Sequence, residues 1–291
     1  MIAAIFPGQG SQTPGMGKDV FEASASSREV FENVSKTLGI DIAKLCFESD
    51  EETLRATNNA QIALYTVGVA SYAASDQSAD VFAGHSIGEY AALVCSGTLS
   101  LEDGARLVRK RGELMASAGD LTPGTMAAVL GLEIPVISET LAGVEGVVVV
   151  ANDNCPGQTV ISGEVDAVAK AIPMLQEAGA KRVLPLNVSG AFHSPLMTEP
   201  SRQMAQALAD AVFQKGKPVY ANVTTKPVAD PSDWRPILEQ QLRDQVRWTD
   251  SVRNMIADGV TEFIEFGPGE VLCGMLKRID KTVPARRFSV N

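Results

Sequence analysis

Short apolar strands alternating with helical patterns, glycine-marked turns at strand ends, and an internal stretch whose elements change order together predict an α/β chain with one smaller domain set into a larger one. Residues 3–6 read as a buried strand that ends at Pro7-Gly8. Residues 80–83 read as a second, closed by Gly84 and followed by a helix over 87–95. A further helix is expected over 101–118. From about 125 to 189 the reading is strand (126–130), helix (135–141), strand (146–151), turn at Pro156-Gly157, strand (159–162), helix (165–178) and strand (182–188). That β-α-β-β-α-β order is the ferredoxin-like one. Pro123-Gly124 precedes it and a glycine, Gly190, follows it. The expected layout is therefore a discontinuous α/β-hydrolase-like domain with a parallel sheet (1–122 and 190–291) and a small ferredoxin-like domain (123–189). A cleft between the two is the natural place for a site.

Composition narrows the function classes. A chain of 291 residues, 45% hydrophobic, can bury a sizeable core, so disorder is not expected. Acidic residues outnumber basic ones by 35 to 25, and the net charge of −10 argues against nucleic-acid or anionic-membrane binding. An acidic partner would need a local basic patch. Cys46, Cys95, Cys155 and Cys273 lie far apart without a C-x-x-C pair and read as reduced thiols. Neither a signal-peptide pattern at Met1–Pro7 nor a run approaching ~18 apolar residues is seen, which leads us to expect a cytoplasmic protein.

Gly84-His-Ser-Ile-Gly88 matches G-x-S-x-G, in the strand–turn–helix context that such a motif requires. A turn of this kind lifts Ser86 above the sheet edge, and the helix behind it offers free N–H groups to an oxyanion formed in acyl transfer. An ordinary βα turn that happens to contain serine is the alternative. Serine needs a base, and the chain has two histidines. His85 adjoins Ser86, where successive side chains diverge. His193, in the Gly-Ala-Phe-His-Ser-Pro loop after the small domain, is the better candidate, against a capping or core role. No Asp is marked as a third member, and a main-chain carbonyl is the alternative means of orienting the ring.

Arg111 is out of place. The helix from Leu101 carries its apolar stripe at Leu101, Ala105, Val108 and Met115, and Arg111 falls on that stripe while Arg106, Arg109 and Lys110 point away. A buried guanidinium needs an anion, either an internal Asp or Glu or the carboxylate of a substrate held bidentately.

Six blocks in order carry a resemblance over essentially the whole chain. They are Phe6-Pro-Gly-Gln-Gly-Ser-Gln12, Gly84-His-Ser-Ile-Gly-Glu-Tyr90, Arg111-Gly-Glu-Leu-Met115, Gly190-Ala-Phe-His-Ser-Pro-Leu-Met197, Val246-Arg-Trp248 and Phe266-Gly-Pro-Gly-Glu-Val-Leu272. Together they resemble the malonyl-CoA:acyl carrier protein transacylases and the related acyltransferase domains of polyketide synthases. The resemblance implies a Ser86–His193 dyad, an oxyanion hole from the backbone N–H groups of Gln9 and Ile87, and Arg111 on the malonyl carboxylate. It further implies a histidine-orienting carbonyl near Arg247, where some members have Gln, and a selective role for Phe192 against branched acyl groups. Malonyl-CoA and an acyl carrier protein are the implied partners, with Lys181, Arg182, Lys277 and Arg278 as candidate docking residues. No cofactor or metal is expected. A serine esterase or thioesterase, a non-catalytic carrier-binding subunit, and an acyltransferase serving a polyketide synthase or malonate decarboxylase are the competing readings.

Overall fold

A computed structural model describes residues 1–290. Ten strands are present in chain order among these residues: β1 (Ile2–Phe6), β2 (Val81–Gly84), β3 (Gly124–Leu130), β4 (Val148–Cys155), β5 (Gln158–Glu164), β6 (Arg182–Pro185), β7 (Val219–Tyr220), β8 (Val246–Arg247), β9 (Glu262–Glu265) and β10 (Ala285–Arg287). They form two five-stranded sheets, ordered β10-β9-β1-β2-β7 and β6-β3-β5-β4-β8.

Every pairing in the first sheet is parallel. Parallel strands covered on both faces need continuous apolar runs, and Ala3, Ala4, Ile5 and Phe6 supply one with almost no exposure. The helix Thr57–Ala73 packs on one face with the helices Ala25–Leu38 and Leu101–Ala116. It is buried nearly all round, so it shows no amphipathic stripe. The helices Trp248–Ala257 and Val271–Ile279 cover the opposite face through Val252, Met255, Leu272 and Leu276.

The second sheet is antiparallel from β6 through β4 and packs Ala127, Val129, Ile161 and Val183 against the helices Ile134–Ala142 and Val165–Glu177. Its fifth strand departs from expectation. β8 lies well beyond residue 189 yet pairs in parallel with β4, Asn152 opposite Val246 and Asp153 opposite Arg247. Two residues are too short to betray a strand in sequence. The segment 186–188, expected to prolong the last strand, instead runs as an irregular loop after Pro185.

Several contacts fasten the two sheets together. Met115, Met126, Val160, Phe192 and Met197 form one apolar cluster with members from both halves of the chain. Thr249 donates to the Asp153 carboxylate at 2.6 Å, and Arg278 donates to Gln158 and to the Pro156 carbonyl. Glu265, at the end of β9, accepts the Leu272 and Cys273 amides at 3.1 and 2.8 Å. These amides belong to the first turn of a helix, whose N–H groups have no partner within the helix. The carboxylate thereby fixes a helix that lines the cleft through Leu272 and Met275. Among the described residues, no helix is long and apolar enough to cross a membrane.

Candidate active site

The C-terminal ends of the parallel strands converge on a cleft of about 540 Å³, walled on its other side by β3, β4 and β5. Open α/β sheets place ligands at this edge because helix N-termini and loops meet there. Gly8, Gln9, His85, Ser86, Phe192 and His193 all line it.

Ser86 stands in the sharp turn between β2 and the helix Gly88–Cys95, with φ of 51°. A positive φ is strained for a residue with a Cβ, and such strain persists only where its surroundings enforce it. The flanking glycines explain how. A Cβ on Gly84 would lie 1.9 Å from the Gly88 carbonyl carbon, and one on Gly88 would lie 2.2 Å from the Phe6 carbonyl oxygen. Asn222, just after β7, completes the clamp by accepting the Ser86 amide at 2.7 Å and donating to the Gly84 carbonyl at 2.6 Å.

His193 also has positive φ, 58°, and its Nε2 lies 2.8 Å from Ser86 Oγ. The helix Trp234–Gln241 holds it there. The last carbonyls of a helix lack partners inside it. The Gln241 carbonyl accepts from Nδ1 at 2.7 Å, and the Leu242 carbonyl accepts the His193 amide at 3.0 Å. With Nδ1 carrying the proton, Nε2 is left as an acceptor for the serine hydroxyl. This corrects the expectation that the orienting carbonyl lies at Arg247. That residue sits in β8, its amide donating to Asn222 and its carbonyl accepting from Ser251, while its side chain turns outward to Asp250. His85 faces away from the hydroxyl, its Nε2 2.8 Å from Asn154 Oδ1.

Arg111 is fully buried and has no ion-pair partner among the described residues. Neutral oxygens receive it instead: Gln61 at 2.8 Å, Gln241 at 2.9 Å and Ser86 Oγ at 3.0 Å. Its Nε has no acceptor among the described residues, and the Tyr90 ring lies 5.9 Å away. Of the two anions weighed from sequence, a directly contacting internal acid is not the one found. The guanidinium adjoins the serine, held by the inward stripe of Leu101–Ala116, which Ser100 caps by accepting the Asp103 amide.

Electrostatics follow from this packing. Burial and the nearby Arg111 charge push the His193 imidazole down to about 3, so it is neutral in the resting site. Arg111 is itself lowered by burial. The backbone N–H groups of Gln9 and Ile87 make no hydrogen bond among the described residues, and Ile87 stands at the N-terminus of its helix. Phe192, Met115, Met126 and Val160 make the apolar wall beside Ser86. Lys181, Arg182, Lys277 and Arg278 are exposed, and the last is engaged in joining the sheets.

Sequence reasoning missed Gln61, Asn222 and Gln241. Gln241 carried a usable signal, for it lies on the stripe Trp234, Ile237, Leu238, Gln241 as a polar residue at an apolar position, as Arg111 does on its own helix. Gln61 has no such mark on a helix apolar all round, and Asn222 lies in a loop.

A strained serine hydrogen-bonded to a neutral imidazole, with free amides and a buried guanidinium close by, defines the class of serine-nucleophile acyl-transfer sites. The acyl transferase domain model matches residues 4–285, and the chain belongs to that family. A malonyl CoA-acyl carrier protein transacylase of Bacillus subtilis is 43% identical over 288 residues, covering 96% of this chain and 90% of that one. The solved acyl carrier protein S-malonyltransferase of Vibrio cholerae is 40% identical, with a TM-score of 0.95 over 100% of this chain and 97% of that one. A malonyl-transacylase solved in complex with its holo type II PKS acyl-carrier protein is 37% identical, with a TM-score of 0.95 over 100% and 96%.

Stability should report the buried neutral imidazole. Because its pKa falls from an ordinary 6.5 to about 3 on folding, its contribution is intact above about pH 6.5 and is lost as pH falls toward 3. In urea denaturation, the stability of the native chain relative to His193→Ala should drop between about pH 6.5 and 4, at up to ~1.4 kcal/mol per pH unit. A pH-independent difference would show that the ring is not held neutral.

Proposed function

We propose that this chain transfers the malonyl group of malonyl-CoA to the phosphopantetheine thiol of an acyl carrier protein in fatty-acid synthesis, through a malonyl-Ser86 intermediate. The observation that carries the reading is Arg111, a buried guanidinium 3.0 Å from the hydroxyl that His193 activates. A dicarboxylic acyl group attached at Ser86 would bring its free carboxylate to that cation.

The steps follow from the geometry. His193 Nε2 takes the Ser86 proton as Oγ attacks the thioester carbonyl, and the Gln9 and Ile87 amides receive the oxyanion. The imidazolium so formed lies against the C-terminal carbonyls of Trp234–Gln241, where the helix dipole favours positive charge. The proton then passes to the departing CoA thiolate. The carrier thiol reverses these events, giving ping-pong kinetics. Phe192, packed on Met126 and Met197, closes the apolar wall against an α-methyl branch, a discrimination worth about 1–3 kcal/mol.

The same reading takes residues 1–122 with 190–291 as an α/β-hydrolase-like catalytic domain and 123–189 as a ferredoxin-like one. The strand order β6-β3-β5-β4 supports the second assignment. A cytoplasmic location is part of the proposal, supported by four unpaired cysteines. The likeness to a transacylase solved with a polyketide carrier favours a second reading, in which the carrier belongs to a type II polyketide system.

Ser86→Ala should form no malonyl adduct on mixing with malonyl-CoA, read by intact-mass spectrometry; an adduct in that variant would move the nucleophile elsewhere. Arg111→Ala should lose malonyl transfer by about a hundredfold or more while holding or gaining activity on acetyl-CoA, as expected when a charge-assisted contact is removed. Equal losses on both donors would remove the carboxylate role. Lys277, exposed beside the cleft-lining helix face, is the cleaner docking candidate because Arg278 is occupied. Lys277→Glu should raise KM for the carrier and leave KM for malonyl-CoA unchanged, whereas a shift in both would argue against docking there.

A further inference from the structure

Glu89 is a fully buried charged side chain beside the site that the proposed chemistry leaves without a task. It lies in the first turn of Gly88–Cys95 with no exposure. A carboxylate there is costly unless it is well partnered. Its two oxygens each meet one N–H donor: Oε1 accepts the Asn222 amide at 2.6 Å, and Oε2 accepts from Gln241 Nε2.

Those two partners hold the rest of the site. Asn222 clamps the Ser86 and Gly84 backbone. Gln241 presents its side-chain oxygen to Arg111 and its main-chain carbonyl to His193, and its Nε2 also reaches the Ser86 carbonyl at 2.9 Å. Glu89 is thus one residue removed from nucleophile, base and guanidinium together. We propose that Glu89 is a positioning residue: as an acceptor-only carboxylate it fixes the amide of Gln241 with the oxygen toward Arg111, and so aims the guanidinium at the acyl carboxylate. The inference rests on the malonyl-transfer reading and adds what sets the polarity of its carboxylate pocket.

The chemistry of an amide makes this directional. Gln241 can face Arg111 with an oxygen or with an NH₂, and only the oxygen is compatible with a guanidinium, which has donors alone. An ionised carboxylate behind the amide demands the NH₂ for itself, leaving the oxygen for Arg111. Burial raises the Glu89 carboxyl to about 7, while the hydrogen bonds from Asn222 and Gln241 and the Arg111 charge act to keep it ionised. When Glu89 is ionised, it and Arg111 are opposite charges joined through one amide, a contact that stabilises both without a direct ion pair filling the pocket.

The test compares malonyl-CoA with acetyl-CoA as acyl donors to Ser86, following adduct formation by rapid-quench mass spectrometry. Glu89→Gln keeps the shape but offers a donor where an acceptor is needed. It should lower the malonyl-to-acetyl rate ratio about tenfold or more, the size of one charged hydrogen bond. A role confined to folding would slow both donors equally, and an unchanged ratio would overturn the proposal. Should Glu89→Gln fail to fold, Gln241→Met, which keeps the carbonyl for His193 but removes the amide, is read in its place; its ratio should fall likewise, and an unchanged ratio again overturns the relay. The parent reading fails separately, if the unaltered protein takes up no malonyl group from malonyl-CoA.

Discussion

The structure depends on one unneutralised charge. Arg111 is wholly buried, yet among the described residues only amide and hydroxyl oxygens accept from it and its Nε has no acceptor. Removing a guanidinium from water without an anion in contact is among the more expensive arrangements a fold can hold. Stability alone would favour an apolar residue at this position of the stripe. On the proposed malonyl-transfer reading, the arrangement is a site kept ready for a carboxylate that arrives with a substrate, a local rule broken where function requires it. The remaining architecture supplies what such a site needs: dipoles from Gln61 and Gln241, a distant countercharge in Glu89, and a core rigid enough to keep them in place.

Rigidity comes from the parallel sheet. The residues that form the site leave it at the C-terminal ends of neighbouring strands: Gln9 after β1, Ser86 after β2, Asn222 after β7. Each is separated from the next by a long stretch of chain, so the fold brings them together and no local segment does. His193 comes from the return out of the second sheet, and the helix Trp234–Gln241 then pins it. Because β8 joins that sheet to elements of the other half, the wall carrying Met126 and Val160 has a defined place opposite the serine. Backbone strain at residues 86 and 193 is the local consequence of holding both side chains to one point.

Much of this was legible in the amino-acid order, and the boundary of what was legible has a physical cause. The elbow could be read because its glycines are forced by contacts under 2.5 Å, which leave no other residue possible. Arg111 could be read because a helix displays its periodicity, and a charge on the wet side of that period is ordinary while one on the dry side is not. The same test applied to Trp234–Gln241 would have singled out Gln241. The Arg247 assignment erred because a main-chain carbonyl has no sequence signature: any residue can provide it, and only the end of a helix in space says which one does. Asn222 and β8 were unreadable for a related reason, being short segments whose meaning comes from distant partners.

The same charge links recognition with reactivity. Arg111 acts on His193 as well as on Ser86, and burial together with that charge pushes the imidazole down to about 3. A base so weak is poorly matched to removing a proton near neutral pH, since efficient proton transfer wants a pKa closer to the working value. On the proposed malonyl-transfer reading, a carboxylate bound at Arg111 would cancel much of the guanidinium charge, weakening one of the causes that, with burial and the neighbouring His85, hold the ring down, and so would raise its basicity. Acyl donors lacking a carboxylate leave the charge uncancelled and the base weak. On that reading, selectivity for a dicarboxylic acyl group lies partly in the chemical step and not only in binding, because the correct substrate strengthens the base that activates Ser86.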